Sequence, residues 1–237
     1  MNTNTVFEDL DLIEYKEAWE FQESKFNAII NTKLYNRSHP DEFKALTHHL
    51  IFCEHPNVYT LGKSGQVNNL LINDAFLKQI NATYYKSNRG GDITYHGPGQ
   101  IVGYPIFDLE EMGLTVKSYI HLLEESIINC IADYGLQGSR LDGATGVWLD
   151  KDVPGKARKI CAIGVKASRY VSMHGFALNV NTDLSYFNHI NPCGFVDKGV
   201  TSLKKELGRE LDFKEVKNKL LDHIIKVFKL NISSKVG

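Results

Sequence analysis

Residues 82–108 constrain the fold more than any other stretch of this chain. Short runs rich in Tyr, Thr, Ile and Val are broken there by Gly90, Gly91, Gly97, Gly99 and Gly103, and by Pro98. That density of glycine and proline excludes a helix, and β-branched and aromatic residues between turn formers read as strands. The remainder of the chain must therefore complete a sheet and cover it. Helical spacing fits residues 13–34, with Tyr15, Ala18, Trp19, Phe26, Ile29 and Ile30 in register and Gln22 polar on the same stripe. It also fits 115–134, ended by Gly135, and 213–229, where Asp212 and Glu215 resemble a capping box. Thr201-Ser202 reads as the cap of a short helix before Leu203 and Leu207. Strand-like stretches lie at 46–61 around a Pro56-Asn57 turn, and at 144–149, 159–167 and 174–181, with the charged segment 150–158 as a hairpin loop. Because strands and helices mix without a regular βαβ rhythm, the expected class is α+β: one domain over 1–237 with mixed β-sheets flanked by helices.

Charge and composition exclude several functions. The 237 residues carry 27 Lys+Arg and 28 Asp+Glu, a net charge of −1 that does not suit a nucleic-acid binder working by bulk electrostatics. No apolar run approaches the ~20 residues of a membrane span, so no membrane partner is expected. MNTNTVFEDLDLIEY has no apolar core, and no Arg precedes Arg37, so a cytoplasmic location is expected. The charge is unevenly spread: residues 1–23 hold seven acids and one base, whereas 151–170 hold six bases and one acid. Such runs are commonly solvated faces.

Two phosphate-loop patterns fail. Gly62-Lys63-Ser64 has Asn57 where a P-loop needs glycine, and Gly97-Pro98-Gly99 continues to Val102 rather than a third glycine. The glycines of 89–103, bracketed by Arg89, Thr94, Tyr95, His96 and Gln100, either bring bare backbone close to a ligand or form tight turns between strands. Cys53, Cys130 and Cys161 each fall on an apolar face and read as small core hydrophobes. Cys193 belongs to no periodic pattern. Flanked by Pro192 and Gly194, it is a candidate nucleophile if cations of the 156–169 stretch lower its pKa.

The segment Arg89-Gly90-Gly91-Asp92-Ile93-Thr94-Tyr95-His96-Gly97-Pro98-Gly99-Gln100 resembles the signature loop of the lipoyl(octanoyl) transferases. Four further segments match that family in order: Glu54–Gly62, Lys159–Gly164, His174–Val180 and Asn191–Gly194. The likeness runs from about Tyr15 to Leu207, and the long Lys151–Arg158 segment is its one departure. The resemblance implies a fold similar to the biotin/lipoate protein ligase catalytic domain and an acyltransferase that uses no cofactor or metal. It implies octanoyl acyl carrier protein as donor, and, such partners being acidic, it makes the basic stretch 151–170 a candidate docking rim. The implied acceptors are lipoyl domains of 2-oxoacid dehydrogenase complexes and glycine cleavage H protein. Cys193 would be the thioester nucleophile and Lys159, 34 residues before it, its acid–base partner. Arg89, Gly90, Gly91, Asp92, Ile93, Thr94, Tyr95, His96, Ala162, Ile163, Gly164, Gly175, Phe176 and Ala177 would bind substrate. His96 and His174 would either act chemically or only bond to backbone, and His55, next to Pro56, would be a turn residue or a wall of the acyl tunnel. Two rivals stay open: an ATP-dependent lipoate–protein ligase of the same fold, and a non-catalytic module that binds acyl carrier or lipoyl domain.

Overall fold

The computed structural model describes residues 4–191 and 198–236. Among them, a nine-stranded sheet is built from β1 (Asn4–Leu12), β2 (His48–Glu54), β6 (Gln100–Ile106), β7 (Ser139–Leu141), β8 (Ala144–Leu149), β9 (Arg158–Ser168), β10 (Val171–Asn179), β11 (Gly199–Val200) and β12 (Asn231–Val236). Its order is β12-β1-β2-β6-β10-β9-β8-β7, with β11 added in parallel to β9. β3 (Val58–Leu61), β4 (Thr83–Lys86) and β5 (Ile93–His96) form a second sheet in the order β4-β3-β5. The glycine-broken stretch 82–108 is therefore three strands joined by a loop and a turn, and those strands belong to two different sheets.

Helices cover both faces of the large sheet. α1 (Tyr15–Ser38) buries Ala18, Phe26, Ile29 and Ile30 against Ile51, Val102, Tyr104 and Ala177. α3 (Val116–Ala132) and α5 (Phe213–Phe228) share the other face with Phe52, Ile101, Cys161 and Phe176. α2 (Asp74–Gln79) and the short α4 (Leu203–Leu207) complete the helices among the described residues. The expected caps are present: Asp212 Oδ1 accepts from Glu215 N at 3.0 Å, and Ser202 Oγ accepts from Lys205 N at 3.2 Å. α3 is capped reciprocally by Thr115 and Ser118. Lys151–Arg158 lies in the β8–β9 hairpin connection, as expected, with the two strands antiparallel. The architecture is a mixed α+β domain, and no described helix is long and apolar enough to cross a membrane.

Three parts differ from the sequence expectation. β1, α2 and β12 have no periodic signal. The acids of β1 are also not simply a solvated face. Glu8 is 8 % exposed and bonds Lys25 at 3.1 Å and His49 at 2.9 Å, and Asp9 pairs with Lys217 at 2.8 Å. Similarly, the basic stretch is not one free rim. Arg158 forks onto Glu206 (2.6 Å) and bonds Asp150 (2.5 Å), and Lys166 covers the ring of Phe26. Lys156 remains exposed.

Candidate active site

A cavity of about 570 Å³ lies between the α1 face of the large sheet and the small sheet. Its floor is made by residues with little or no side chain. Ala162 is opposite Ala177 and Gly164 opposite Gly175 in the β9–β10 register, and Ala177 is opposite Val102 on β6. The loop Arg89–Gly91 crosses β9 backbone against backbone. Gly90 N donates to Val165 O at 2.9 Å, and a Cβ on Gly164 would stand 2.8 Å from the Gly90 carbonyl oxygen. Glycine is required at this crossing by space, not by an unusual φ.

Arg89 is buried and held within the loop. Its Nε donates to Thr60 Oγ1 (3.2 Å), Nη2 to Thr60 O and Oγ1 (2.5 and 2.9 Å), and Nη1 to Gly90 O (2.9 Å). The planar fork thus ties the signature loop to β3. Asp92 closes the loop's other end, accepting from Asn69 Nδ2 at 2.7 Å and Ile93 N at 2.6 Å.

His96 begins a directed chain of hydrogen bonds. Gln100 Nε2 donates to Asn179 Oδ1 (2.9 Å) and Tyr95 O (3.2 Å), so Gln100 Oε1 is an acceptor and His96 Nδ1–H donates to it at 2.8 Å. Asn179 Nδ2 then donates to Thr201 O at 3.0 Å, beside β11. The chain leaves Nε2 of His96 as the acceptor nitrogen, 3.5 Å from Thr60 Oγ1. Burial, reinforced by the charge of Arg89, pushes the His96 pKa down to about 3. His55 is neutral for the same reason, pushed down to about 4 by burial. His174, packed against Trp19, goes to about 3 through burial and then Arg89, Lys166 and Lys63. All three imidazoles therefore position their surroundings at neutral pH.

His174 also carries backbone strain, with φ +60° in the middle of β10. Its N–H donates to Oε1 of Gln22 at 3.1 Å. Gln22, polar on an otherwise apolar stripe, is fully buried to meet that bond. The His174 side chain donates from Nε2 to Asn88 Oδ1 at 2.6 Å.

Lys159 stands at the start of β9 and lines the cavity. Its Nζ lies 4.7 Å from the ring centroid of Trp148, a cation–π distance. Val200 of β11 is its strand partner, and Thr201 N donates to Lys159 O at 2.9 Å. Cys193 lies outside the described residues. Asn191 and Lys198, the described residues on either side of it in sequence, both line the cavity. The other three thiols are buried in the core. Burial pushes Cys130 up to about 12, and Cys53 and Cys161 upward as well, so none is poised as a nucleophile.

Arg89, Gly90, Gly91, Asp92, Ile93, Thr94, His96, Lys159, Ala162, Ile163, Gly164, Gly175, Phe176 and Ala177 all border the one cavity. Tyr95, expected with them, does not. It is 1 % exposed and stacks on Tyr186 at 4.8 Å, while its hydroxyl donates to Asn57 Oδ1 at 2.8 Å. Alternation along β5 turns this ring away from His96 and into the small sheet's own core. Sequence reasoning did not assign Tyr15, Val102, Tyr104, Trp148 or Asn179 to the site, although all five line it. Their patterns read only as helix stripe or strand.

The model of the lipoyl protein ligase A/B catalytic domain matches residues 14–225. The chain belongs to that family. An octanoyltransferase from Cytophaga hutchinsonii is 53 % identical over 234 residues, covering 98 % of this chain and 96 % of the relative. Among solved structures, a bipartite lipoate protein ligase from Thermoplasma acidophilum aligns with a TM-score of 0.71 at 13 % identity, covering 100 % of this chain and 88 % of that one. A lipoate-protein ligase A solved with ATP aligns at 0.67 and 15 %, covering 100 % and 90 %. The structures share the fold of the lipoyl protein ligase A/B family, and the sequence relatives make the chain a transferase enzyme.

Proposed function

We propose that the chain transfers an octanoyl group from octanoyl acyl carrier protein, through a thioester on Cys193, to a lysine of lipoyl domains and of glycine cleavage H protein. The observation that carries this reading is the meeting of two segments at one cavity. Lys159 lines it, and so do Asn191 and Lys198, between which Cys193 lies in sequence. The pairing of β11 with β9 at Lys159 itself supports the same assignment. So does the similarity to two octanoyltransferases over 96 % and 94 % of their own length.

In this mechanism the Cys193 thiolate attacks the thioester carbonyl carbon. The carbon–sulfur bond to the carrier breaks, and the departing thiolate takes a proton from the Lys159 ammonium. The acceptor lysine's neutral amine then attacks the new thioester. Cys193 leaves as thiolate, and the amine proton passes to Lys159. Thioester-to-amide transfer is downhill, so the reaction needs no ATP. Arg89, the loop 90–94, His96 and the floor residues would hold the acyl chain in a site of cytoplasmic enzyme chemistry.

Transfer from octanoyl carrier to a lipoyl domain, assayed without ATP, tests the reading: Cys193→Ser abolishes it. Transfer that requires ATP and free octanoate would assign the chain to ligase chemistry. Lys159→Ala should slow alkylation of Cys193 by iodoacetamide near neutral pH. An unchanged rate would remove Lys159 from thiol activation.

A further inference from the structure

The trough formed by Ala162, Gly164, Gly175 and Ala177 crosses β9 and β10 and stops at β6. There Val102 and Tyr104, two residues apart and so on one face of the strand, rise into the cavity beside Tyr15 of α1. This end is blind: Val102, Tyr15 and Tyr104 are 1, 2 and 4 % exposed. At the opposite end Lys159 and Lys198 are half-buried and Asn191 is exposed. The end wall is also anchored from behind. Tyr104 Oη donates to His55 Nε2 at 2.6 Å, and His55 Nδ1–H donates to Ile13 O at 2.7 Å. Tyr15 Oη donates to Ser87 Oγ at 3.0 Å. Neither His55 nor Ser87 lines the cavity, so both hydroxyls are tied outside it and the rings face inward.

We propose that Tyr104, anchored by His55, is the stop that fixes the length of the acyl chain, with Val102 completing the wall. This rests on the reading of the cavity as the acyl site. The length follows from sheet geometry. From β9 to β6 is two strand spacings, about 9.6 Å. An extended chain advances about 1.25 Å per carbon–carbon bond of about 1.5 Å, so eight carbons span about 9 Å and ten about 11 Å. A ten-carbon acyl chain meets the Tyr104 ring and must fold back or leave methylenes in water.

Titration calorimetry with sodium octanoate, decanoate and dodecanoate reads this wall without a carrier protein and without the Cys193 thiol. In the unaltered protein, decanoate binds no tighter than octanoate. Tyr104→Leu opens the trough, so decanoate gains about 15-fold over octanoate, the worth of two buried methylenes. Tyr104→Phe keeps the ring and the original order. Val102→Ala provides a second opening, with a smaller gain for decanoate, if the Tyr104 variant does not fold. An octanoate-to-decanoate ratio unchanged in a folded Tyr104→Leu protein overturns the proposal. Failure of all three acids to bind the unaltered protein overturns the acyl-site reading beneath it. Loss of carrier-dependent transfer with the length order intact counts only against the transfer mechanism.

Discussion

The three buried imidazoles make stability depend steeply on pH. His55, His96 and His174 are 0, 7 and 2 % exposed, and their pKa values fall from 6.5 to about 4, 3 and 3, burial being the largest cause in each. In the unfolded chain each takes up a proton near pH 6.5. Between that value and the folded pKa, the unfolded state binds more protons, so stability rises with pH through this window. The stabilisation is complete above about pH 7 and is lost as pH falls from 6.5 toward 4. At pH 5 each histidine has given up about 2 kcal/mol relative to pH 7.5, about 6 kcal/mol for the three. That is comparable with the whole stability of an ordinary domain, about 5–15 kcal/mol. His48 and His49, also lowered by burial, act in the same direction. Urea unfolding between pH 5 and 7.5 measures the slope, expected to approach three protons or more near pH 5.5. His55→Gln should remove one proton from that slope, about 1.4 kcal/mol per pH unit. A slope below one proton across the window would mean that these imidazoles are not held neutral in the interior, and the positioning role given to them would fall.

Other expectations follow from single contacts. Gly164→Ala puts a Cβ 2.8 Å from Gly90 O. It should lift the Arg89–Gly91 loop, costing about 1–3 kcal/mol and lowering transfer at least tenfold; thermal unfolding and a transfer assay measure the two effects. Lys33→Ala removes the ammonium that bonds Asp108 (2.8 Å), Glu110 (2.9 Å) and Arg169 O (3.0 Å). It leaves a buried carboxylate uncompensated and should cost about 3 kcal/mol in chemical denaturation. Arg158→Lys loses the bidentate grip on Glu206 and should cost about 1 kcal/mol. Lys156→Glu, at an exposed position, should leave the melting temperature unchanged while raising KM for an acidic carrier protein.

Strong periodicity was legible. The stripes of α1, α3 and α5 and the runs of β8, β9 and β10 were each recognisable from spacing, with ends displaced by a few residues. β1 was not, because Glu8 and Asp9 occupy positions that a strand normally gives to apolar residues, and their partners Lys25, His49 and Lys217 are distant in sequence. β12 is short and polar, and it is a strand only because β1 pairs with it. Motif spacing named the loop, the floor residues and Lys159, which border one cavity. It also named Tyr95, whose ring lies in the small sheet's core and not at the cavity, since a contiguous motif does not reveal that alternate residues on β5 face opposite ways. It could not find Tyr104, whose place at the end of the trough depends on β6 lying beside β10. Gln22 was visible as an anomaly, and its reason, the strained N–H of His174, exists only in the folded chain.

The central claim is that acyl transfer passes through Cys193. Intact-mass spectrometry after mixing the protein with octanoyl acyl carrier protein, in the absence of acceptor and ATP, tests it most directly. The account predicts one octanoyl increment, located to Cys193 by peptide mapping, labile to hydroxylamine and discharged on addition of a lipoyl domain. Rapid octanoyl transfer to the lipoyl domain with no acyl-enzyme detectable, and with Cys193→Ser equally active, would contradict it.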